Sequence, residues 1–109
     1  MDDSTELLKG VLEGCVLHIL GQGESYGYQI VRSLHAAGFL SVSEGTVYPI
    51  LLRLEKKGLV AVGKVRSAQG PPRKVYTLNA EGRAALASFW QRWDHVASRL
   101  AQMREEGDG

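Results

Sequence analysis

Glu44-Gly-Thr-Val-Tyr-Pro-Ile-Leu-Leu-Arg-Leu-Glu-Lys-Lys-Gly-Leu-Val60 is the stretch that decides the fold of this 109-residue chain. Val47, Ile50, Leu51 and Leu54 recur at helical spacing and make one apolar face. Thr46, Pro49, Arg53, Lys56 and Lys57 are read onto the opposite face. Ser43 is placed to cap this helix, and Gly58 to stop it after Lys57. Pro49 lies inside it, lacks an amide donor and crowds the carbonyl of Gly45, at a cost of roughly 3 kcal/mol. The apolar spacing runs on through Pro49, so the pattern predicts one helix, kinked, rather than two elements.

Upstream, Ser25 is read as the N-cap of a second helix that runs to Ala37 and is closed by Gly38. Tyr26, Ile30, Val31 and Leu34 form its inner face, and Gly27 within it implies close backbone packing. Residues 5–20 read as a first helix. Leu8, Val11, Leu12, Cys15 and Ile19 mark one apolar face, and Leu7, Val16, Leu17 and Leu20 widen it beyond a single stripe. A helix apolar on most sides is covered on more than one side, and in so small a chain a second subunit is the expected cover. Downstream, residues 59–67 alternate as a strand, residues 68–72 form a Gly-Pro-Pro turn, and residues 73–78 form the return strand. Asn79 then caps a long helix over residues 80–104, followed by a frayed tail at 105–109.

The order helix, helix, helix, strand, turn, strand, long helix predicts a mostly α fold with a small β-hairpin. Helices two and three make a helix-turn-helix and the hairpin a wing, so the expected division is a winged helix-turn-helix over 1–79 and a dimerisation helix with its tail over 80–109. Such a unit suits duplex DNA, because a helix fits the major groove while a β-turn reaches a neighbouring groove or the backbone.

The charge distribution fits that reading. The formal net charge is only +1, but residues 41–80 carry seven cations against two acids, while residues 1–40 carry two against five. A local surplus is what a nucleic-acid footprint requires, although charge taken alone favours a solvated basic face. Thr46, Arg53, Lys56 and Lys57 on the helix, with Lys64, Arg66, Arg73 and Lys74 on the wing, are the candidate DNA contacts. The cations would mostly neutralise phosphates. Tyr48 flanks the exposed stripe and is read either as packing on the wing or as bonding a phosphate. Lys56 and Lys57 also suit the negative end of the helix dipole.

The long helix carries Leu86, Phe89, Trp90, Trp93, Val96, Ala97, Leu100 and Met103 at steps of three and four, an apolar seam longer than its own domain can cover. Pairing with the same helix of a second copy is expected, with Leu86, Phe89, Trp93, Val96, Ala97, Leu100 and Met103 at the interface. A two-fold dimer also suits a palindromic operator.

The 44–60 stretch resembles the signature of the PadR family of transcriptional regulators. Tyr26-Gly-Tyr-Gln-Ile30 is similar to that family's second helix, and Gly70-Pro-Pro-Arg-Lys-Val-Tyr-Thr-Leu-Asn-Ala-Glu-Gly82 to its wing and final helix start. The likeness runs from about Leu8 to Trp93, with Pro72 and Val75 as departures from the usual pattern. It implies an effector-responsive repressor, a homodimer of the short type with one C-terminal helix. It also implies, for some members, a planar aromatic effector stacked between paired tryptophans. Trp90 falls near that place, and Leu8, Val11, Cys15, Trp93 and Asp94 are the other candidates for the pocket, although Trp90 and Trp93 equally suit a plain dimer core.

Other classes find little support. Cys15 is the only cysteine and reads as a small buried apolar residue. His18, His35 and His95 lack metal-ligand spacing, and no nucleophile–base pair or phosphate loop is evident, so neither catalysis nor a metal or cofactor is expected. No apolar run reaches bilayer length and no signal-like segment is seen, so a soluble cytoplasmic protein is expected. The competing reading is a winged-helix module for protein interaction or small-molecule sequestration, without DNA binding.

Overall fold

The computed structural model describes residues 4–67 and 70–108. Eight elements follow one another: α1 (Ser4–Lys9), α2 (Leu12–Gly21), β1 (Ser25–Tyr26), α3 (Gly27–Ala36), α4 (Glu44–Lys56), β2 (Val60–Val65), β3 (Arg73–Leu78) and α5 (Ala80–Asp108). The strands form one antiparallel sheet in the order β1-β3-β2.

The α4 helix runs unbroken through Pro49. Its core-facing residues Val47, Ile50, Leu51 and Leu54 are buried, as their spacing requires. Gly58 takes a positive φ of 73° directly after the helix. Its amide bonds to the Glu55 carbonyl and that of Leu59 to the Leu54 carbonyl, the paired bonds that close a helix on a left-handed residue. The same device ends α3 at Gly38, φ 103°, with Phe39 bonded back to Leu34. The turn into α4 is pinned by the His35 ring, whose Nε2 lies 2.6 Å from the Val42 carbonyl oxygen and must donate to it. Helices α3 and α4 and this turn form the helix-turn-helix.

Three expectations need correction. The single helix over 5–20 is two, because the chain breaks at Gly10 and Val11 between α1 and α2. Gly10 is a poor helix former, and Val11 bonds back only three residues, to the Leu8 carbonyl. Ser25 does not cap α3. It lies buried in β1, opposite Tyr76 of β3, and the helix begins at Gly27. Tyr26 is therefore a strand residue before the helix, not part of its inner face. Its amide donates to Gln29 Oε1 at 2.9 Å, a bond that reaches back across the first turn. Finally, the C-terminal helix continues to Asp108, past the tail expected from 105 onward.

The core gathers Leu8, Leu12, Val16, Leu17 and Leu20 from the first two helices, the inner faces of α3 and α4, and Val60, Tyr76 and Leu78 of the sheet. Asn79 ties the next element on. Its Oδ1 accepts the Gly82 amide at 2.8 Å as an N-cap, and its Nδ2 donates to the Gly58 carbonyl at 2.8 Å. From there α5 first lies against α2, at two glycines. A methyl group on Gly21 would come within 2.9 Å of Leu86 Cδ2, and one on Gly14 would sit on the Phe89 ring. The helix then runs on, about 43 Å in all for its 29 residues. This explains the elongated extents of 61 × 34 × 20 Å. No helix of the described residues is long and apolar enough to cross a membrane.

Candidate nucleic-acid interface

The hairpin register places the cations of the wing. Lys64 of β2 stands directly opposite Lys74 of β3, and Val65 opposite Arg73. Side chains alternate along a strand, so Lys64 shares the face of Val60 and Val62 but lies beyond the end of the core, exposed. Two lysines directly across an antiparallel pair repel each other. Arg66 follows β2 directly and is exposed. Of the turn expected over 68–72, Ala68 and Gln69 lie outside the described residues.

Arg73 is not simply projected outward. Its guanidinium carbon lies 5.4 Å from the Tyr28 ring centroid and 6.0 Å from that of Tyr26, and its Nη1 donates to the Tyr28 hydroxyl at 3.4 Å. The two tyrosine rings are parallel within 5° at 5.9 Å. A guanidinium beside aromatic faces is held in orientation while keeping its other donors. Tyr48 closes the arrangement from α4. It crosses the first residue of α3, where a methyl group on Gly27 would lie 2.6 Å from Tyr48 Cε1 and 2.8 Å from its hydroxyl. Together Tyr26, Gly27, Tyr28, Glu44, Tyr48, Arg73 and Lys74 line an open cleft of about 610 Å³.

The candidates on α4 thus divide. Thr46 and Tyr48 stand in its first turns; Tyr48 lines the cleft, whereas Thr46 is exposed outside its wall, its hydroxyl 3.4 Å from Ser43 Oγ. Arg53, Lys56 and Lys57 lie at the other end, about 7–17 Å further along at 1.5 Å per residue. Arg53 Nε is 3.1 Å from Glu13 Oε1, and Lys57 Nζ is 3.3 Å from Glu13 Oε2. Burial alone would raise the Glu13 carboxyl, but hydrogen bonds from Arg53 and Lys57, and their charges, outweigh it and hold the group below its usual range. Arg53 and Lys57 therefore already have an anion from α2. Lys56 is exposed on the outer ridge with Pro49 and Leu52.

A second cleft, of about 260 Å³, lies between α2, the end of α3 and α5. Cys15 and Trp90 share its wall with His18, Gln22, Leu34 and Phe39. Trp90 meets the His18 ring edge-on at 5.4 Å. Of the other residues expected there, Leu8 is buried in the core, Val11 packs against that core, and Trp93 and Asp94 are not in this wall. Burial pushes the Cys15 thiol up and keeps it neutral, in keeping with a small apolar role. Beyond this cleft the seam of α5 is bare. Trp93 is 41% exposed, Val96 48%, Leu100 57% and Met103 66%, whereas Leu86 and Phe89 are partly covered by α2.

Sequence reasoning missed Glu13, Tyr28 and Glu44. No pattern links Glu13 to cations 40 residues away. Tyr28 lies in α3, where the sequence places it, and its ring meets that of Tyr26 because Tyr26 is the extended residue just before the helix.

Residues 16–88 match the model of the PadR-like family of transcriptional regulators. The chain belongs to this family. A Streptococcus transcriptional regulator of known structure is similar to this PadR-like chain at 44% identity and a TM-score of 0.80, over 90% of this chain and 96% of that one. A PadR-like regulator from Bacillus cereus matches at 42% and 0.79, over 90% and 95%. A transcriptional regulator of Mycobacterium tuberculosis is 34% identical over 86% of this chain and 88% of its own length. Bacillus subtilis PadR, solved in complex with operator DNA, matches at 27% identity and a TM-score of 0.67, over 73% of this chain and 45% of that one. The chain is a PadR-like transcriptional regulator, with the winged-helix architecture expected from its element order and a long C-terminal helix.

Proposed function

We propose that this regulator is a sequence-specific duplex-DNA binder that works as a homodimer in the cytoplasm and represses transcription until an effector releases it. The observation that carries the reading is the convergence at one end of the molecule of the first turns of α4 with the wing cations Arg73 and Lys74, beside the opposed Lys64–Lys74 pair. The operator complex of the Bacillus subtilis relative supports the same partner. Thr46 and Tyr48 would reach the duplex from α4, and Lys64, Arg66, Arg73 and Lys74 would neutralise backbone phosphates. Lys56 would add charge from the outer ridge. Arg53 and Lys57 would instead brace α4 against α2.

The winged-helix unit over 1–79 would dimerise through the helix over 80–109. The rising exposure of Trp93, Val96, Leu100 and Met103 supports this, since bare apolar residues at heptad-like spacing ask for a partner helix. Leu7 of α1, 80% exposed, would join the same interface. A planar aromatic effector would sit by Trp90 and Cys15 and act by preferring one separation of the two DNA-binding units. Fluorescence anisotropy with a labelled duplex across a salt series tests the central claim. Affinity that falls steeply with salt is expected; absence of any duplex binding at low salt would sink the reading.

A further inference from the structure

The outermost row of α4 is Gly45, Pro49, Leu52 and Lys56. These residues follow one another at steps of four, three and four, opposite the buried face of Val47, Ile50, Leu51 and Leu54, and all of them are exposed. Leu52 keeps 51% of its surface open to solvent. The polar groups on the flanks of the helix are engaged elsewhere. Arg53 is paired with Glu13. The Tyr48 ring lies across Gly27. The Thr46 hydroxyl is 3.4 Å from Ser43 Oγ. Glu55 stands on the side towards β3, where burial, and after it the charge of Glu55, push the Tyr76 phenol up. Until Lys56 in the last turn, the outer row therefore carries no side chain that can hydrogen-bond to a base edge.

Guanine and adenine are read in the major groove by arginine, lysine, asparagine or glutamine, whereas apolar groups meet the C5-methyl of thymine. We propose that Pro49 and Leu52 are specificity-determining residues that pack on thymine methyl groups in the major groove, a step that rests on the duplex-binding reading. Charge favours a duplex over an apolar protein partner at this face. Lys56 ends the row, and Lys64, Arg73 and Lys74 stand exposed on the wing. Pro49 and Leu52 are about 4.5 Å apart along the helix at 1.5 Å per residue, near the rise of about 3.4 Å between stacked base pairs. One row thus reaches two neighbouring positions of the duplex. Pro49 has no side-chain freedom to lose on contact, so its ring is an apolar surface already in place.

The test uses the full chain. Selection from a random duplex pool gives its preferred site, and each thymine of that site is then replaced singly by deoxyuridine, which removes the methyl and leaves pairing and charge unchanged. At one or two thymines the swap should weaken binding about fourfold, the size of one buried methyl group, at unchanged salt slope. In Leu52→Ala the penalty at one of these thymines should vanish, and in Pro49→Ala the penalty at its neighbour. Both side chains are exposed, so either change should leave the fold intact, which circular dichroism checks. Full affinity at every deoxyuridine position, a selection that enriches no thymine, or penalties that persist in both alanine variants would overturn the methyl readout and leave duplex binding standing. Loss of self-association in Leu52→Ala, with the deoxyuridine penalties intact, would assign the row to a contact between copies and overturn it too. A wild-type chain that binds no duplex at low salt would overturn the DNA-binding reading and the readout with it.

Discussion

Replacing Gly14 by alanine tests how α5 is joined to the DNA-binding unit. In an ordinary helix interior the change stabilises by about 1 kcal/mol, because glycine costs backbone entropy that alanine does not. At Gly14 the added methyl would fall on Cδ1, Cε1 and Cζ of Phe89, so the ring must move. Overpacking of this kind costs about 1–3 kcal/mol. The net expectation is a loss of about 0–2 kcal/mol. Phe89→Ala removes the obstacle, and Gly14→Ala should then stabilise by about 1 kcal/mol. The sign reversal is the signature, and the coupling across the cycle is about 1–3 kcal/mol. Urea unfolding followed by far-UV circular dichroism, at one fixed protomer concentration, measures all four variants. If Gly14→Ala stabilises equally with and without the Phe89 ring, α5 does not seat on α2 through this pair.

Three further outcomes follow from the same geometry. Lys64→Ala with Lys74→Ala should lower the salt slope of duplex binding by about 0.9 for each phosphate left without its cation, yet stabilise the fold slightly by removing opposed like charges; anisotropy and thermal unfolding read the two effects separately. Glu13 is held below its usual carboxylate range, so its contribution to stability is present above about pH 4.3 and is lost as pH falls through the lower folded value; Glu13→Gln should therefore flatten the acid limb of a stability–pH curve, by under about 1 kcal/mol because the pair is partly exposed. Trp93→Arg with Val96→Asp should give monomers in sedimentation velocity, and a surviving dimer would place the interface elsewhere.

Much of the fold was legible in the order of residues, because its signals are local. The four apolar positions of α4 carry helical period through Pro49, and burial of that face outweighs the missing hydrogen bond. Gly58 and Asn79 mark their helix ends by conformation and capping that depend on near neighbours alone. The hairpin was readable from its alternation and its Gly-Pro-Pro turn. Two local readings failed where competing preferences were close. Gly10 split a helix whose apolar pattern ran straight across it, and β1 claimed Ser25 and Tyr26 because pairing with β3 is a long-range contact.

The candidate site was legible as residue types and not as an arrangement. Sequence alone put cations in the middle third and named Arg73 and Lys74. Only the tertiary structure brought Tyr26 and Tyr28 beside Arg73, set Tyr48 across Gly27, and gave Arg53 and Lys57 to Glu13. Such pairings depend on how α2, α3, α4 and β3 pack, and packing is a sum over many distant contacts that no short window contains. The bare half of α5 is the converse case. Its apolar spacing was plain in the sequence, and the structure decided which residues the chain covers for itself, Leu86 and Phe89, and which it leaves exposed.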